Sequence, residues 1–553
     1  MSVDTQASDA PLRPSQTVNW SLTVSNLLLV VLSALLTALA FPPTEWWPLA
    51  WCGLTPLLLA LHRTTTVRAA GWLTLFWGLL FTAVTLHWMP HIFSTATIGV
   101  YLLMCLPWVL FGLGYRLLVT RHSSLLLILF APILWTAIDW VRCEGWYFQF
   151  SWLQLGFTQV PWTPMHTCYT LIGTYGVTFL ILFVNAAIAT IWITKPEERR
   201  QCRRTIVTVL SIMLGMLVLL GVWEGYLALA EGQTQRVWRH PQLQPTPVLI
   251  VQDEQGGVDK LLTLTRQFST EHRADTTPML IVWPEYAIPA FLRDNLRQLN
   301  EVQEEARAMH ATLVLGCKET APSGAPCDPL RRHAMLETEG KLFYNTALVI
   351  GPDGTILGAY HKAHPIQLFS DGVPGTDFSR IDTPSGLLGI SICYDFDYAW
   401  GPLLEVRDGA ELLVVPTFDD LAWTPLQHLQ HSRMVQARAA ELGRWVARAT
   451  SSGISQIISP HGEVVNSIPI GVSAALLGQV TPSHLRTPYV LFTWMLPHAC
   501  LLLSIFGSVV LLVSTIRARK AHQVSDVSIA AGEIKEPDGS MAVHDDSDMR
   551  QER

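Results

Sequence analysis

The stretch Met165–Ile193, MHTCYTLIGTYGVTFLILFVNAAIATIWI, contains no aspartate, glutamate, lysine or arginine in 29 residues. About 20 consecutive apolar residues are enough for a helix to cross the hydrocarbon core of a bilayer. The flanking sequence has the same character, since residues 23–193 contain only five basic and three acidic side chains. So few charges cannot cover a surface that faces water. We therefore predict that this part of the chain lies in a membrane.

Eight membrane helices are predicted when the rest of the chain is read with the same length criterion. They lie near residues 22–41, 46–61, 69–90, 97–119, 123–140, 165–193, 204–230 and 489–515. The polar first 20 residues lack a cleavable signal-peptide pattern, so we expect the first helix to be retained. Lysine and arginine concentrate in alternate loops, which predicts that both termini are cytoplasmic and that the long segment 231–488 is not.

The segment 231–488 has the pattern of a folded domain outside the membrane. Runs rich in β-forming residues recur at 248–251, 279–282, 311–315, 344–350, 355–360, 386–392 and 411–415. Pro352-Asp353-Gly354 separates two of these runs and is typical of a hairpin turn. Helices are predicted at 289–310 and 427–442. Strands with interleaved helices indicate a layered α/β or α+β domain.

The predicted fold class is therefore a polytopic bundle of about eight transmembrane helices joined to one extracytoplasmic α/β domain. The predicted divisions are an N-terminal tail (1–21), seven helices (22–230), the external domain (231–488), the last helix (489–515) and a disordered cytoplasmic tail (516–553). A formal net charge of −7 argues against a nucleic-acid partner. The chain has no Walker loop and no dinucleotide fingerprint, and we predict no cofactor.

Three side chains of complementary chemistry stand where predicted strands of the external domain stop. They are the carboxylate of Glu285, the ammonium of Lys362 and the thiol of Cys393. Ligands collect at the carboxyl ends of strands in open α/β sheets. A base that takes the thiol proton, with a cation that stabilises the thiolate, makes a competent nucleophile. Each residue alone is more often a core cysteine or a solvated charge, but the three together favour a catalytic site.

The sequence around these residues resembles the carbon–nitrogen hydrolase (nitrilase) family. Trp283-Pro284-Glu285, followed by Ala287 and Pro289, is similar to the family's Trp-Pro-Glu-x-Ala-x-Pro, and Cys393-Tyr394 is similar to its nucleophile motif. Residues 344–347, 351–354 and 360–362 follow the family's order between them. With the membrane motifs at 41–50, 139–156 and 173–186, residues 20–515 resemble the apolipoprotein N-acyltransferase branch of that family.

This resemblance implies an αββα sandwich and a catalytic triad of Glu285, Lys362 and Cys393, supported by Asp371, Tyr394 and Asp395. It implies a multi-pass protein of the bacterial cytoplasmic (inner) membrane with a periplasmic catalytic domain. The implied reaction carries an acyl chain from a phospholipid to the α-amino group of a lipoprotein's diacylglyceryl-cysteine, through a thioester on Cys393. The implied partners are a phospholipid donor and a diacylglyceryl-lipoprotein acceptor, both anchored in lipid.

The chain departs from the family pattern at positions that matter for this chemistry. Asp371 and Asp395 stand where the family has glutamate, and residues 417–423 differ from its Asn-Asp-Ala-Trp-Phe run. One residue is inserted before Asp371, and we expect it to restore the reach of that carboxylate, because a residue adds up to about 3.3–3.6 Å. Two alternatives stay open: a membrane-tethered amidase or nitrilase that uses water as acceptor, and a pseudoenzyme that binds lipid or lipoprotein without turnover.

Two weaker signals concern metals and cysteines. His361-x-x-His364 and His428-x-x-His431 have metal-like spacing, but neither has an evident third ligand, and we predict no metal. Cys317 and Cys327 flank a Gly- and Pro-containing loop of the external domain. Outside the cytoplasm these two thiols are candidates for a disulfide.

Overall fold

The computed structural model describes residues 20–119, 124–237, 245–255, 257–269, 279–325, 337–366, 369–378 and 380–532. Within these residues, the first nine α-helices form an apolar bundle. They are α1 (Trp20–Leu39), α2 (Ala50–Gly53), α3 (Thr55–Arg63), α4 (Val67–Thr85), α5 (Met89–Phe93), α6 (Thr97–Val119), α7 (Ser124–Trp140), α8 (His166–Ile193) and α9 (Arg199–Val237). Short turns of 3₁₀ helix precede α2, α6 and α8, and a π-helical turn, Val141–Gly145, follows α7.

Five helical segments of the described chain are long and apolar enough to cross a membrane. They are Val67–Thr85, Met89–Val119, Leu126–Gly145, Thr163–Ile193 and Thr493–Val510. The second predicted span is instead divided into α2 and α3, of four and nine residues. At about 1.5 Å per residue, neither helix crosses a core of about 30 Å. The total number of crossings stays a prediction.

The break between α2 and α3 is stabilised by a side chain from another helix. The Oδ1 atom of Asn185, in α8, accepts hydrogen bonds from the backbone N–H groups of Leu54 and Thr55, both at 2.8 Å. The first N–H groups of a helix have no partner within the helix itself. Asn185 therefore provides the partner that water would provide at an exposed helix end.

The second part of the chain is built from two sheets and their covering helices. Its strands are β1 (Thr246–Gln252), β2 (Met279–Val282), β3 (Ile288–Phe291), β4 (Ala311–Thr320), β5 (Glu337–Thr338), β6 (Lys341–Ile350), β7 (Ile356–His361), β8 (Ile381–Thr383), β9 (Gly386–Ile390), β10 (Leu412–Thr417), β11 (Val446–Thr450), β12 (Ser455–Ile458), β13 (Val464–Ile468) and β14 (Ala474–Val480). Its helices are α10 (Gly257–Ser269), α11 (Leu296–Met309), α12 (Trp400–Asp408), α13 (Pro425–Leu442), α14 (Pro488–Leu491) and α15 (Leu496–Gly532).

The central strands of both sheets are parallel. One sheet has the order β14-β1-β2-β4-β6-β5, with β3 paired to β4 and β7 paired to β6, and the other has the order β13-β12-β11-β10-β9-β8. The pairs β1–β2, β2–β4, β9–β10 and β10–β11 are parallel. Parallel neighbours bring their carboxyl ends to one edge of a sheet, which is where ligand-binding residues collect.

The two sheets pack face to face and each outer face carries helices. Val248 and Val282 of the first sheet pack with Ile390 and Val414 of the second in one buried cluster. The outer face of the first sheet packs against α10 and α11, and that of the second against α12 and α13. The result is an αββα sandwich beside a bundle of long apolar helices, which confirms the predicted fold class.

Besides the divided second span, two elements differ from the sequence prediction. The segment predicted as one helix over 289–310 begins as strand β3, and α11 starts only at Leu296, where the Asn295 side chain caps the backbone N–H of Gln298. The tail predicted as disordered from residue 516 is helical to Gly532, because its alanines, arginines and lysine favour helix continuation. The rest of that tail lies outside the described residues. Described residues up to Leu501 form one compact unit and those from Leu502 another.

Candidate active site

Glu285 lies just beyond the carboxyl end of β2 and is buried, with 2% of its surface exposed. Its Oε1 atom accepts hydrogen bonds from Asn345 Nδ2 at 2.7 Å and from Lys362 Nζ at 2.8 Å. Its Oε2 atom accepts the backbone N–H of Phe418 at 2.8 Å. Asn345 lies within β6, whereas Lys362 and Phe418 directly follow β7 and β10, so donors from three strands fix the orientation of the carboxylate.

Lys362 follows β7 and is buried between two carboxylates. Its Nζ atom is 2.8 Å from Glu285 Oε1 and 2.8 Å from Asp371 Oδ2. Asp371 also accepts hydrogen bonds from the hydroxyl of Tyr286 and the side-chain amide of Asn345, both at 2.7 Å. The shortened carboxylate thus reaches the ammonium, as expected if the inserted residue extends the loop. One of the three ammonium protons is left for another acceptor.

Cys393 stands at a sharp turn directly after β9. Its φ is +50°, a left-handed conformation that is uncommon for a residue with a side chain, and it begins a short 3₁₀ turn, Cys393–Asp397. Such backbone strain, worth about 1–3 kcal/mol, clusters at active sites. Its Sγ atom lies 3.7 Å from the carbonyl oxygen of Phe418, whose N–H binds Glu285.

The three groups influence one another's protonation. Burial raises the pKa of Cys393 well above its usual value, and the nearby Glu285 carboxylate raises it further, while Lys362 opposes both. Burial lowers the pKa of Lys362, but Asp371 and Glu285 outweigh it and raise that pKa well above normal. Burial also raises the pKa of Glu285, against the effect of Lys362. The resting site therefore holds a thiol, an ammonium and a carboxylate that is a better base than an exposed one.

Asp395 connects the turn that begins at Cys393 to the loop that follows Lys362. Its carboxylate accepts the hydroxyl of Tyr360 at 2.9 Å and the backbone N–H groups of Ala363 and His364 at 3.2 and 2.6 Å. The backbone N–H of Ile392, next to Cys393, donates to the same carboxylate at 3.3 Å. Asp395 reaches all these donors with its short side chain, so it acts as a positioning residue.

Tyr394 points away from this cluster, toward the helical bundle. Its hydroxyl donates to the backbone carbonyl of Gln149 at 3.1 Å, and the hydroxyl of Tyr398 donates to the same oxygen at 3.3 Å. Gln149 belongs to the connection between α7 and α8. Tyr394 therefore fixes the turn at Cys393–Asp397 against the bundle.

A cavity of about 510 Å³ extends from Cys393 into the helical bundle. One wall comes from the sandwich, through Cys393, Tyr394, Phe369 and Trp423. The other comes from α5, α6 and the connection after α7, through residues such as Met89, Phe93, Gly99, Leu103 and Phe148. Phe369 packs against Phe93 and Trp423, with ring centroids 5.8 and 6.0 Å apart, so aromatic rings join the two walls. A thiol at the end of a mostly apolar cavity can receive a long hydrocarbon chain.

Buried charged groups also join the sandwich to the bundle. Glu441 and Arg438 of α13 form an ion pair, and Glu441 also accepts the backbone N–H of Thr174 in α8. Nearer the surface, Arg433 of α13 pairs with Glu45, which precedes α2, at 2.6 Å. These contacts fix the sandwich and the bundle relative to one another.

Asn345 belongs to the motif at residues 344–347, but no role was predicted for it from the sequence. The structure places its amide between Glu285 and Asp371, which both accept from Nδ2. Three of the four histidines with metal-like spacing pair with carboxylates: His361 with Glu319, His364 with Asp395 and His431 with Asp419. Cys317 is buried in β4, whereas Cys327 lies outside the described residues, so the disulfide stays a prediction.

Two family models match this chain. The apolipoprotein N-acyltransferase N-terminal domain matches residues 33–187, and the carbon-nitrogen hydrolase domain matches residues 242–484. An apolipoprotein N-acyltransferase of Geobacter metallireducens is 25% identical over 539 residues, covering 90% of this chain and 96% of its own. One from Azotobacter vinelandii is 29% identical, covering 84% of this chain and 90% of its own. The chain resembles apolipoprotein N-acyltransferases over most of its length.

The resemblance inferred from the sequence motifs is thereby confirmed. The carbon-nitrogen hydrolase match contains Glu285, Lys362 and Cys393, and the N-acyltransferase match contains the bundle wall of the cavity. Among solved structures, a carbon-nitrogen hydrolase from Helicobacter pylori G27 aligns with 46% of this chain and 95% of its own, at 17% identity and a TM-score of 0.36. With its long apolar helices, the chain is a membrane protein.

Proposed function

We propose that this protein transfers an acyl chain from a phospholipid to the α-amino group of the diacylglyceryl-cysteine of a lipoprotein. The names of its relatives support N-acylation of lipoproteins. The observation that carries the proposal is the cavity, because it connects Cys393 with the apolar surface of α5 and α6. A hydrolase of small soluble amides has no use for such a wall.

The first half-reaction forms a thioester. Glu285 takes the proton of Cys393, and the thiolate attacks the carbonyl carbon of the phospholipid ester. Lys362 stabilises the oxyanion with the ammonium proton that neither Glu285 nor Asp371 accepts. The C–O bond breaks, the departing alkoxide takes the proton back from Glu285, and a lysophospholipid leaves.

The second half-reaction consumes the thioester. The amine of the lipoprotein attacks the thioester carbon and passes a proton to Glu285. The C–S bond breaks, the sulfur recovers the proton, and the amide product leaves. One carboxylate serves both halves because its hydrogen bonds from Asn345 and Phe418 hold it in place throughout.

We further propose that the sandwich faces the periplasm of a bacterial inner membrane and that both termini are cytoplasmic. The alternation of basic loops supports this orientation. It places Cys393 on the side of the membrane where lipoproteins carry their lipid.

The test is intact-mass analysis of the purified protein in lipid nanodiscs. The wild type should gain the mass of one acyl chain after incubation with phospholipid and lose it when a diacylated lipopeptide is added. Cys393→Ser should gain no stable adduct, because a hydroxyl is far less ionised than a thiol. Cys52→Ser, which changes an exposed cysteine of the bundle, is the matched control and should behave as the wild type.

The rival functions give different results in the same assay. Discharge of the adduct by water as fast as by lipopeptide would favour a membrane-tethered amidase or nitrilase. No adduct and no product, from folded wild-type protein, would favour a pseudoenzyme.

A further inference from the structure

Asp397 ends the short turn that Cys393 begins, and its carboxylate is buried in the wall of the cavity. One oxygen, Oδ2, accepts the indole N–H of Trp152 at 2.6 Å. The other, Oδ1, accepts no hydrogen bond from the described residues. A buried carboxylate oxygen without a donor is costly and calls for an explanation.

A cation lies beside this oxygen. His431 Nε2 is 3.3 Å from Asp397 Oδ1 and forms an ion pair with it, although neither atom makes a hydrogen bond of good geometry to the described residues. The other ring nitrogen, Nδ1, lies 2.8 Å from Asp419, which also pairs with Arg448 at 2.7 Å. Burial lowers the pKa of His431, but Asp419 and Asp397 raise it to about 9, so the ring is an imidazolium at neutral pH.

Asp397 and His431 are the charged side chains among the residues that line the cavity; its other lining residues are apolar, aromatic or neutral. An ion pair that served only to hold the fold would be expected to complete its hydrogen bonds. Here the His431 imidazolium is shared between Asp419 and Asp397, so Asp397 Oδ1 can accept a further hydrogen bond in the wall that Cys393 shares. An ammonium is a compact cation with three donors and suits such an acceptor.

We propose that Asp397 binds the ammonium group of an amine-bearing substrate in this cavity. The assignment rests on the proposed function and adds a substrate-binding residue to it. A 3₁₀ turn rises about 2 Å per residue, so the backbones of Cys393 and Asp397 are separated by about 8 Å along its axis. Two amines come within that reach: the α-ammonium of the acceptor and the ethanolamine ammonium of a phospholipid donor.

The test measures the two half-reactions separately in Asp397→Asn, which keeps the shape and an acceptor for Trp152 but removes the charge. Thioester formation is followed by intact mass with phosphatidylethanolamine and with phosphatidylglycerol, which lacks an amine. Discharge of the thioester is followed with diacylated lipopeptide and with hydroxylamine, which is uncharged at neutral pH. Asp382→Asn, at a carboxylate 74% exposed on the sandwich, is the matched control.

We expect a loss of at least about tenfold confined to the step that involves the bound amine. Slower discharge by lipopeptide, with normal discharge by hydroxylamine, assigns the site to the acceptor. Slower acylation by phosphatidylethanolamine, with normal acylation by phosphatidylglycerol, assigns it to the donor headgroup. Equal slowing of all four reactions, or of none, overturns the inference and leaves the proposed function intact. Absence of any wild-type adduct overturns both.

A measurement on the unchanged protein covers the case in which Asp397→Asn does not fold. Lipopeptide and N-acetyl lipopeptide compete with each other for the wild type, and phosphatidylethanolamine competes with its N-acetyl derivative. In one of the two pairs, the acetylated compound should bind at least about tenfold more weakly. Equal binding within both pairs would contradict an ammonium site.

Discussion

Gly99, near the start of α6, offers a direct test of the cavity as the site of the acyl chain. It lines the cavity, and a Cβ atom added there would meet no heavy atom within 4 Å. Gly99→Leu should therefore fold, since leucine also favours helix over glycine by several tenths of a kcal/mol or more. The new side chain should occupy space that a bound acyl chain would otherwise fill.

The size of the effect follows from the four carbons of the leucine side chain. If they exclude about four methylenes of a long acyl chain, at about 0.8 kcal/mol each, binding of that chain loses about 3 kcal/mol. That loss corresponds to about a hundredfold in kcat/KM. A lauroyl chain, shorter by four carbons than a palmitoyl chain, should lose much less.

The assay is competition between palmitoyl and lauroyl phospholipids for thioester formation, resolved by intact mass. Gly99→Leu should lower the palmitoyl-to-lauroyl ratio by about a hundredfold. Gly215→Leu in α9 is the matched control, because a Cβ atom there also meets open space but the residue does not line the cavity. A ratio within about threefold of the wild type, from folded Gly99→Leu, would refute our assignment of the acyl chain to this cavity.

Four other changes test separate parts of the site and the fold. Lys362→Arg should reduce thioester formation by at least about a hundredfold, because a planar guanidinium cannot replace an ammonium between two carboxylates. A near-normal rate would exclude Lys362 as the group that stabilises the oxyanion. Asp371→Glu should slow the reaction about tenfold, because the longer side chain displaces a cluster of hydrogen bonds at 2.7–2.8 Å. Faster turnover would show that the inserted residue does not compensate for the shorter side chain of Asp371. Burial raises the pKa of Glu405 well above its usual value, so the folded state holds a proton that the unfolded state releases. The contribution of Glu405 to the free energy of unfolding should therefore fall as the pH rises above about 4.3. Glu405→Gln should remove this contribution from the pH dependence of thermal unfolding, and an unchanged slope would contradict it. Reporter fusions at Gly232 and after Arg519 should lie on opposite sides of the membrane, and the same side for both would refute the orientation.

The positions of Glu285, Lys362 and Cys393 were predictable because each follows a strand, which local sequence indicates. Glu285 and Lys362 follow strands of the first sheet and Cys393 follows a strand of the second, so their meeting also depends on how the two sheets pack. Their catalytic roles stay predictions. The hairpin at Pro352-Asp353-Gly354 was predictable for the same reason, since Asp353 bonds Thr355 two residues ahead and Gly354 takes a φ of +78°.

Features that depend on distant partners were not predictable. The break at Leu54 needs the side chain of Asn185, more than a hundred residues away in sequence, and a hydropathy window cannot detect it. The surroundings of the Asp397 carboxylate depend on Trp152 of the bundle and His431 of α13. Hydrophobic length predicts helices in the membrane, but it does not predict which polar side chains meet there.

Under the proposed function, the cavity wall contributed by α5 and α6 determines which measure of substrate concentration controls binding. A substrate that enters from the bilayer side arrives by diffusion in two dimensions. The quantity that governs its binding is then its mole fraction among the lipids, not its amount per litre. Dilution with inert lipid should slow the protein even when every substrate molecule remains in the sample, whereas dilution of the vesicles with buffer should leave its rate per molecule unchanged.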